Sequence, residues 1–174
     1  MKTKFRGFSK RLNKWVYGDL VDGDVIVNGI VELNNDEIVI ERWEQVVPES
    51  VGQYTGLKGY MGDKYDDHQE KSVYKGDIID IFWEDFPAGH YRENHLVGVV
   101  DIDNTGTSWV LKNAKYESDV PKQIPSEIHG WSISLEDFEE DELEEVFLHN
   151  FNLTSDDITI LGNIYQNKDL LEGE

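Results

Sequence analysis

Carboxylate and imidazole side chains are concentrated in a polar stretch between residues 59 and 72. Groups of these two kinds bind divalent cations and exchange protons near neutral pH. The stretch has no apolar periodicity and is punctuated by glycine, so we expect an exposed loop, and long loops inside a domain are commonly functional. Its candidate interaction residues are Tyr60, Tyr65, Asp66, Asp67 and His68.

The sequence contains no pattern that predicts a catalytic or cofactor site. The five histidines show no helical i, i+4 pair, and the lack of cysteine removes thiolate nucleophiles and sulfur-based zinc sites. Residues 56–62 lack the Gly-Lys step of a phosphate-binding loop. We therefore predict a non-enzymatic protein with no catalytic residue, metal or cofactor. A metal-dependent hydrolase, in which His68 acts with Asp63, Asp66 and Asp67, is the alternative.

Residues 101–106 imitate the beginning of a calcium-binding loop, with oxygen-bearing side chains at alternate positions and glycine at the sixth. The twelfth position, where such a loop needs a bidentate glutamate, is Lys112. A cation there would repel the metal. The segment is therefore predicted to be a hairpin turn in which Asn104 and Gly106 adopt positive φ.

The formal charge of the chain is −20, and the acidic residues are unevenly distributed. Residues 117–174 contain 16 acidic and 2 basic residues. A surface of this sign repels phosphate, so direct nucleic-acid binding is disfavoured. A basic cluster near the beginning of the chain is interpreted as a solvated hairpin whose charges pair with acidic neighbours. It consists of Lys2, Lys4, Arg6, Lys10, Arg11 and Lys14.

Residues 135–149 have the apolar spacing of an amphipathic helix. Ser134 and Asp137 would form a capping box at its first turn. The acidic face of this helix is a second candidate interaction surface, and it consists of Glu139, Glu140, Asp141, Glu144 and Glu145. It supports an alternative function, in which the protein mimics the charge of a nucleic acid and occupies a host nucleic-acid-binding protein.

The remaining sequence is a succession of short strands separated by turns. A hairpin is predicted around the polar residues 9–14, a bulge at Gly29, and a strand end near Thr55. Further strands are expected at 37–43, 78–83, 96–102, 108–111 and 157–165. The chain is thus predicted to be mainly β (α+β), with small curled antiparallel sheets or a partly open barrel and one amphipathic C-terminal helix. Two subdomains are expected, 1–47 and 48–174, with a single domain as the alternative.

Four segments, spread in order over nearly the whole chain, resemble the YopX-like family of phage and prophage proteins. They are Lys4-Phe5-Arg6, Gln53-Tyr54-Thr55-Gly56-Leu57-Lys58, Tyr74-Lys75-Gly76-Asp77-Ile78-Ile79 and Leu161-Gly162-Asn163-Ile164-Tyr165. The resemblance implies a phage-related origin and a largely β fold, and it transfers no catalytic residues. The chain departs from the family pattern at Gly59, where the family usually has Asp, and in the longer loop that follows.

The partner prediction rests on aromatic content and on the lack of targeting signals. Five tryptophans are expected mainly in cores and on sheet faces, and any that are exposed would mark a protein-binding surface. No apolar run approaches the roughly eighteen residues of a membrane span, and no secretory signal opens the chain, so we expect the host-cell cytoplasm. The leading hypothesis is an accessory protein that forms homo-oligomers and contacts a host or phage protein, without membrane binding.

Overall fold

The computed structural model describes residues 4–33, 37–62, 69–86, 89, 91–118, 142–167 and 170. Over these residues the protein is mainly β, as the sequence predicts. The chain divides into two compact units, residues 1–54 (unit 1) and 55–174 (unit 2). Parts of the predicted helix and of the predicted loop lie outside the described residues. Their described parts are compared with the predictions below.

Unit 1 is built from hairpins that follow one another along the chain. Its strands are β1 (Phe5–Ser9), β2 (Lys14–Val21), β3 (Val25–Leu33), β4 (Glu37–Gln45) and the first residues of β5 (Gly52–Met61). The order is β5-β1-β2-β3-β4, and all of these neighbours are antiparallel. The predicted hairpin around residues 9–14 and the irregularity at Gly29 are confirmed, since the β3–β4 register shifts on both sides of Gly29.

The core of unit 1 is small. It consists of Val16, Ile26 and Val46, with Phe5, Leu20 and Val51 packed around them. Arg6, one of the residues expected in a solvated basic hairpin, is instead buried, and its guanidinium lies 4.6 Å from the centre of a Trp15 ring. This contact places the cation against an aromatic face, where it interacts with the ring quadrupole.

Unit 2 contains the rest of β5 and six further strands. These are β6 (Lys71–Tyr74), β7 (Asp77–Asp85), β8 (Arg92–Ile102), β9 (Trp109–Ser118), β10 (Glu142–Phe147) and β11 (Ile158–Asn163). Their order is β10-β9-β8-β7-β11-β5, and β6 pairs with β5. The β11–β5 pair is parallel, whereas the pairs β10–β9, β9–β8, β8–β7 and β7–β11 are antiparallel, as the sequence predicts for most of the sheet.

One face of the unit 2 sheet carries the main core. Alternate residues of β7 point into it, and Ile79 and Ile81 are fully buried there. Leu148, the first residue of the 3-10 turn Leu148–Asn150, and Phe151, the residue after it, close this core from the end that follows β10. Burying β-branched and aromatic side chains on one face of a twisted sheet supplies most of the stabilisation of such a layer.

The prediction of a helix at 135–149 is wrong for the residues of this range that the structure describes. Residues Glu142–Phe147 form β10, which pairs antiparallel with β9, and Leu148–Asn150 form a single 3-10 turn. Val146 lies against the unit 2 core from this strand. The edge of β9 offers hydrogen-bond partners for the β10 backbone, and this non-local pairing outweighs the local helical spacing. Residues 135–141 lie outside the described part of the chain.

The strand predicted to end near Thr55 continues to Met61. It is extended by β6 and β11, which supply partners that the local sequence does not reveal. Residues 59–61 are therefore strand rather than loop, and so are residues 71 and 72 at the other end of the predicted loop. Residues 63–68 lie outside the described part.

The hairpin turn predicted between β8 and β9 is confirmed. One Asp103 carboxylate oxygen accepts hydrogen bonds from the backbone N–H groups of Thr107 and Ser108, each at 2.8 Å, and the other accepts from Thr105. Gly106 has a φ of +74°, as expected, whereas Asn104 is not among the residues with positive φ. Both carboxylate oxygens of Asp103 thus accept hydrogen bonds from residues of the turn, and neither is directed at a cation.

Candidate functional site: the Trp43 groove of unit 1

A surface groove of about 670 Å³ lies in unit 1, between the β1–β2 turn and the segment that leaves β4. We call it the Trp43 groove. It is lined by Lys10, Arg11, Trp43, Glu44, Gln45, Val46, Val47, Pro48 and Glu49. The groove combines one large aromatic side chain, an apolar floor and charges of both signs. Interfaces between proteins commonly combine these features.

The floor of the groove is fixed by backbone hydrogen bonds that join distant parts of unit 1. Val46 N–H donates to the carbonyl of Asp24 at 2.8 Å, and Val47 N–H donates to the carbonyl of Phe8 at 2.9 Å. The Ser50 hydroxyl donates to the Val47 carbonyl at 2.6 Å and accepts from the Phe8 N–H at 2.7 Å. Because these bonds connect β1 to the segment after β4, the groove is preformed.

The close approach of β1 to Val46 requires a glycine. A Cβ atom on Gly7 would lie 2.6 Å from Val46 Cγ2, well inside van der Waals contact. Val46 is 4% exposed and is part of the unit 1 core. Because residue 7 is glycine, β1 can lie close to Val46, which both lines the groove and belongs to the unit 1 core.

A carboxylate forms one wall of the groove. Glu44 accepts a hydrogen bond from the buried Ser9 hydroxyl at 2.7 Å and from Arg11 Nε at 2.9 Å, and Arg11 Nη2 also contacts its second oxygen. The hydrogen bond from Arg11 lowers the pKa of Glu44 below its ordinary value, and the Ser9 hydroxyl adds to this effect. The Arg11 side chain is 72% exposed, so its outer surface is open to a partner.

Trp43 is the most exposed tryptophan among the described residues, with 62% of its surface accessible. It lies on β4, together with the exposed Ile40. In the part of the chain that the structure describes, β4 pairs only with β3, so its other edge has unpaired backbone groups. Such an edge is a template for pairing with another strand, and an exposed tryptophan beside it supplies apolar contact area.

The two units differ greatly in charge. Residues 1–54 contain seven basic and nine acidic residues, a balance of −2, and residues 55–174 contain nine basic and 27 acidic residues, a balance of −18. Residues 117–174 supply −14 of the −18 of unit 2 and residues 55–116 supply −4, so the acidity lies mainly in the last third of the chain, within unit 2. Unit 1 is close to neutral, so it is the part of the chain that another acidic molecule can approach with little repulsion.

Three of the ten residues predicted to form an interaction surface lie within the described part. Tyr60 is half-buried in β5, and its β11 partner is Thr159. Glu144 is exposed on β10, while Glu145 is partly buried and lies opposite Lys112. The other seven lie outside the described residues: Tyr65, Asp66, Asp67, His68, Glu139, Glu140 and Asp141. The structure thus places the described candidates on strands, and none of them lies on a helix.

A histidine and an aspartate form a pair on unit 2 that the sequence did not predict. His95 Nδ1 lies 2.7 Å from Asp80 Oδ2, and the imidazole also contacts the Phe82 ring. The two residues come from the neighbouring strands β7 and β8 and are diagonal to one another in the register. Within the described ranges, no group of three or more side chains that could hold a metal ion is found. The pair orients the imidazole and, by itself, defines no reaction.

Sequence reasoning missed the Trp43 groove because it is assembled from two distant segments. A local signal was nevertheless present: Trp43 is flanked by Glu41, Arg42, Glu44 and Gln45, whereas the buried Trp83 follows an apolar run. A tryptophan surrounded by charged residues in a strand is a candidate for exposure. The sequence also indicated that any exposed tryptophan would mark a protein-binding surface.

The comparison with protein families identifies the class of this chain. The sequence model described as "YopX protein" matches residues 4–172, which is nearly the whole chain. The chain therefore belongs to the YopX family. No curated protein and no solved structure gave a match. No helix in the described residues is long and apolar enough to cross a membrane.

Proposed function

We propose that this YopX-family protein is a non-catalytic accessory protein of a phage or prophage that acts in the host cytoplasm through protein–protein contacts. Its first partner is a second copy of the chain, and the contact is made through the Trp43 groove and the open edge of β4. The observation that carries this proposal is the 62% exposure of Trp43 beside a preformed groove. When a partner covers a large aromatic side chain that is exposed at such a place, the burial of its apolar surface lowers the free energy of the complex.

Charge favours unit 1 as the self-contact surface. A contact between two copies of unit 2 would bring together two surfaces of charge −18, whereas a contact between two copies of unit 1 involves only −2 on each side. Two-fold contacts, in which the same patch meets itself, are the commonest kind in homo-oligomers. The β4 edge and Trp43 can serve as such a patch because both lie on the same strand.

The test is sedimentation velocity at a series of protein concentrations for the wild type, Trp43→Ala and Phe86→Ala. Phe86, in unit 2, is 65% exposed and is therefore a matched control for Trp43. We expect the wild type to associate and Phe86→Ala to behave like it. Trp43→Ala should raise the dissociation constant about tenfold or more, since aromatic anchors at interfaces commonly contribute 2 kcal/mol or more.

The effect of salt on association distinguishes two possible contacts between the copies. If unit 1 meets unit 1, added salt screens the repulsion between the net negative charges of the two copies and strengthens association. If the basic residues at the groove instead bind the acidic unit of another copy, added salt weakens association. A wild-type protein that stays monomeric at every concentration and salt level would refute the self-association part of the proposal.

The wider protein-contact function has its own test. The wild type, Trp43→Ala and Phe86→Ala are immobilised and exposed to extract of the host cell, and bound proteins are compared by mass spectrometry. We expect at least one host or phage protein to be retained by the wild type and by Phe86→Ala but lost from Trp43→Ala. Equal retention by all three would mean that the Trp43 groove is not the contact surface.

A further inference from the structure

A second cleft, of about 390 Å³, lies in unit 2 beside the β8–β9 turn. We call it the Trp109 cleft. It is lined by Thr55, Leu57, Thr107, Ser108, Trp109, Leu148, His149, Phe151, Asn152 and Leu153. Its volume is in the range of pockets that hold small molecules. It is separate from the residues that form the Trp43 groove, and the argument for it does not depend on the proposed function.

One side of the Trp109 cleft is apolar. Leu148 and Phe151 are buried in the unit 2 core, and Leu57, Trp109 and Leu153 are partly buried against the same core. Trp109 is therefore held in place by the core, and only part of its indole remains exposed to the cleft. An aromatic ring that is held in place can stack on a flat apolar ligand surface without losing further conformational freedom.

The other side carries uncharged hydrogen-bonding groups. Thr107 and Ser108 contribute hydroxyl groups, Asn152 contributes an amide and His149 an imidazole. Among the residues that the structure describes, the Ser108 hydroxyl, the Asn152 amide and the His149 ring have no hydrogen-bond partner. Hydroxyl and amide groups both donate and accept, so they match a ligand that also does both.

The rim of the cleft is held by the Asp103 turn. The N–H groups of Thr107 and Ser108 both donate to Asp103 Oδ1 at 2.8 Å, which fixes the backbone of the two hydroxyl-bearing residues. On the opposite wall, the Thr55 hydroxyl donates to the carbonyl of Val73 at 2.9 Å. The backbone that carries the Thr107 and Ser108 hydroxyl groups is thus fixed before a ligand binds.

The charge of the lining is unusual for this unit. Unit 2 has a balance of −18, yet among the described residues that line the cleft there is no Asp, Glu, Lys or Arg. A cationic ligand would find no carboxylate among these residues, and the net negative charge of unit 2 disfavours an anionic ligand. The lining therefore selects a neutral ligand with one apolar face and several groups that both donate and accept hydrogen bonds.

We propose that the Trp109 cleft binds a neutral hexopyranose unit of a glycan, with the C–H face of the sugar on Trp109 and its hydroxyl groups on Ser108, Asn152 and His149. A pyranose ring has an apolar face and a rim of hydroxyl groups, which are the two properties that the lining selects. A planar nucleobase would share the stacking surface but presents fewer hydroxyl groups to the rim.

The test is saturation-transfer NMR with the full chain and the methyl glycosides of glucose, galactose, mannose and N-acetylglucosamine, with adenosine as a competitor. We expect at least one sugar to bind with a dissociation constant in the millimolar range, and adenosine not to displace it. Ser108→Ala and Asn152→Ala should each weaken binding about fivefold, the effect of losing one neutral hydrogen bond. Phe86→Ala, at an exposed residue that lines neither the groove nor the cleft, should leave sugar binding unchanged.

Trp109→Phe retains an aromatic ring against the core, and Trp109→Ala removes it. We expect the first to weaken binding and the second to abolish it, with circular dichroism confirming that each variant is folded. If Trp109→Ala does not fold, the sugar affinity of Asn152→Ala tests the proposal, because Asn152 is exposed and outside the core. Failure of all four sugars to bind, preference for adenosine, or binding unaffected by Ser108→Ala and Asn152→Ala would overturn the proposal.

Discussion

Arg92 and Asp85 face each other across β7 and β8 of unit 2, and Arg92 Nε donates to Asp85 Oδ1 at 2.8 Å. A second contact joins Nη2 of the same guanidinium to Asp85 Oδ2. The arginine side chain is fully buried and the aspartate side chain is 10% exposed. An ion pair with this two-point geometry holds a buried charge only as long as both partners are present.

Replacing Arg92 by methionine should destabilise unit 2 strongly. The change keeps a long apolar side chain but leaves the Asp85 carboxylate without its partner in a buried position, and breaking such a pair costs about 3–5 kcal/mol. The free energy of unfolding, measured by urea titration followed by circular dichroism, checks this. Lys58→Met is the control, because the Lys58–Glu70 pair is exposed on both sides and its loss should have a much smaller effect. Equal losses in the two variants would contradict the expectation.

Gly59 is required by the close contact between β5 and β11. A Cβ atom at this position would lie 2.6 Å from the carbonyl oxygen of Ile158 and 2.7 Å from its Cγ2. Because the obstacle includes backbone, Gly59→Ala should cost about 1–3 kcal/mol of unfolding free energy, the usual range for overpacking.

The matched control for this prediction is Gly29→Ala in unit 1, where the nearest atom to an added Cβ is Glu41 Cβ at 3.3 Å. We expect a small effect there, because a side chain can give way by a few tenths of an ångström. Thermal unfolding of both variants against the wild type decides the order. A Gly59→Ala protein as stable as Gly29→Ala would show that β5 and β11 are not in this contact in solution.

Asp103 should make the stability of the protein depend on pH in the acidic range. Its hydrogen bonds from Thr105, Ser108 and Thr107 lower its pKa from an ordinary 3.8 to about 2. A carboxylate with a lowered pKa contributes stability that is fully present above its unfolded value and is lost as the pH falls through its folded value. Asp103→Asn should therefore be destabilised at neutral pH, and its difference from the wild type should shrink below about pH 4 and disappear near pH 2.

The measurement for Asp103 is the thermal midpoint of wild type and Asp103→Asn across the acidic range. Asp156→Asn is a suitable control, since Asp156 is an exposed acid without a hydrogen bond to its side chain among the described residues. A difference between Asp103→Asn and the wild type that stays constant over the whole range would show that the charge of Asp103 is not responsible.

In the Trp43 groove, Glu44 should matter more for stability than its partner Arg11. Truncating Glu44 to alanine removes the acceptor of the buried Ser9 hydroxyl, and a buried donor without an acceptor is costly. Arg11→Ala removes a largely exposed side chain and leaves Glu44 with the hydrogen bond from the Ser9 hydroxyl. Differential scanning fluorimetry should therefore give a larger fall in the thermal midpoint for Glu44→Ala. The reverse order would mean that the Arg11 contact, rather than the Ser9 contact, fixes this wall of the groove.

Much of the strand pattern could be predicted because it depends on neighbouring residues. The hairpin around residues 9–14, the irregularity at Gly29 and the turn at Gly106 follow from local polarity and backbone preference. The continuation of β5 beyond Thr55 could not be predicted, since it depends on partners that are distant in sequence. The predicted helix failed for the same reason, because β9 supplies an edge to which Glu142–Phe147 can pair.

The sequence by itself determined the class of this protein: a mainly β chain of the YopX family whose turns and charge are encoded locally and read directly from residue types. Only the tertiary structure decided that Trp43 is exposed beside a groove, that Glu144 and Glu145 lie on a strand, and that the described residues lining the Trp109 cleft include no Asp, Glu, Lys or Arg. The physical reason is that hydrophobic periodicity and turn chemistry act over a few residues, whereas strand partners and surface clefts are set by pairings across tens of residues.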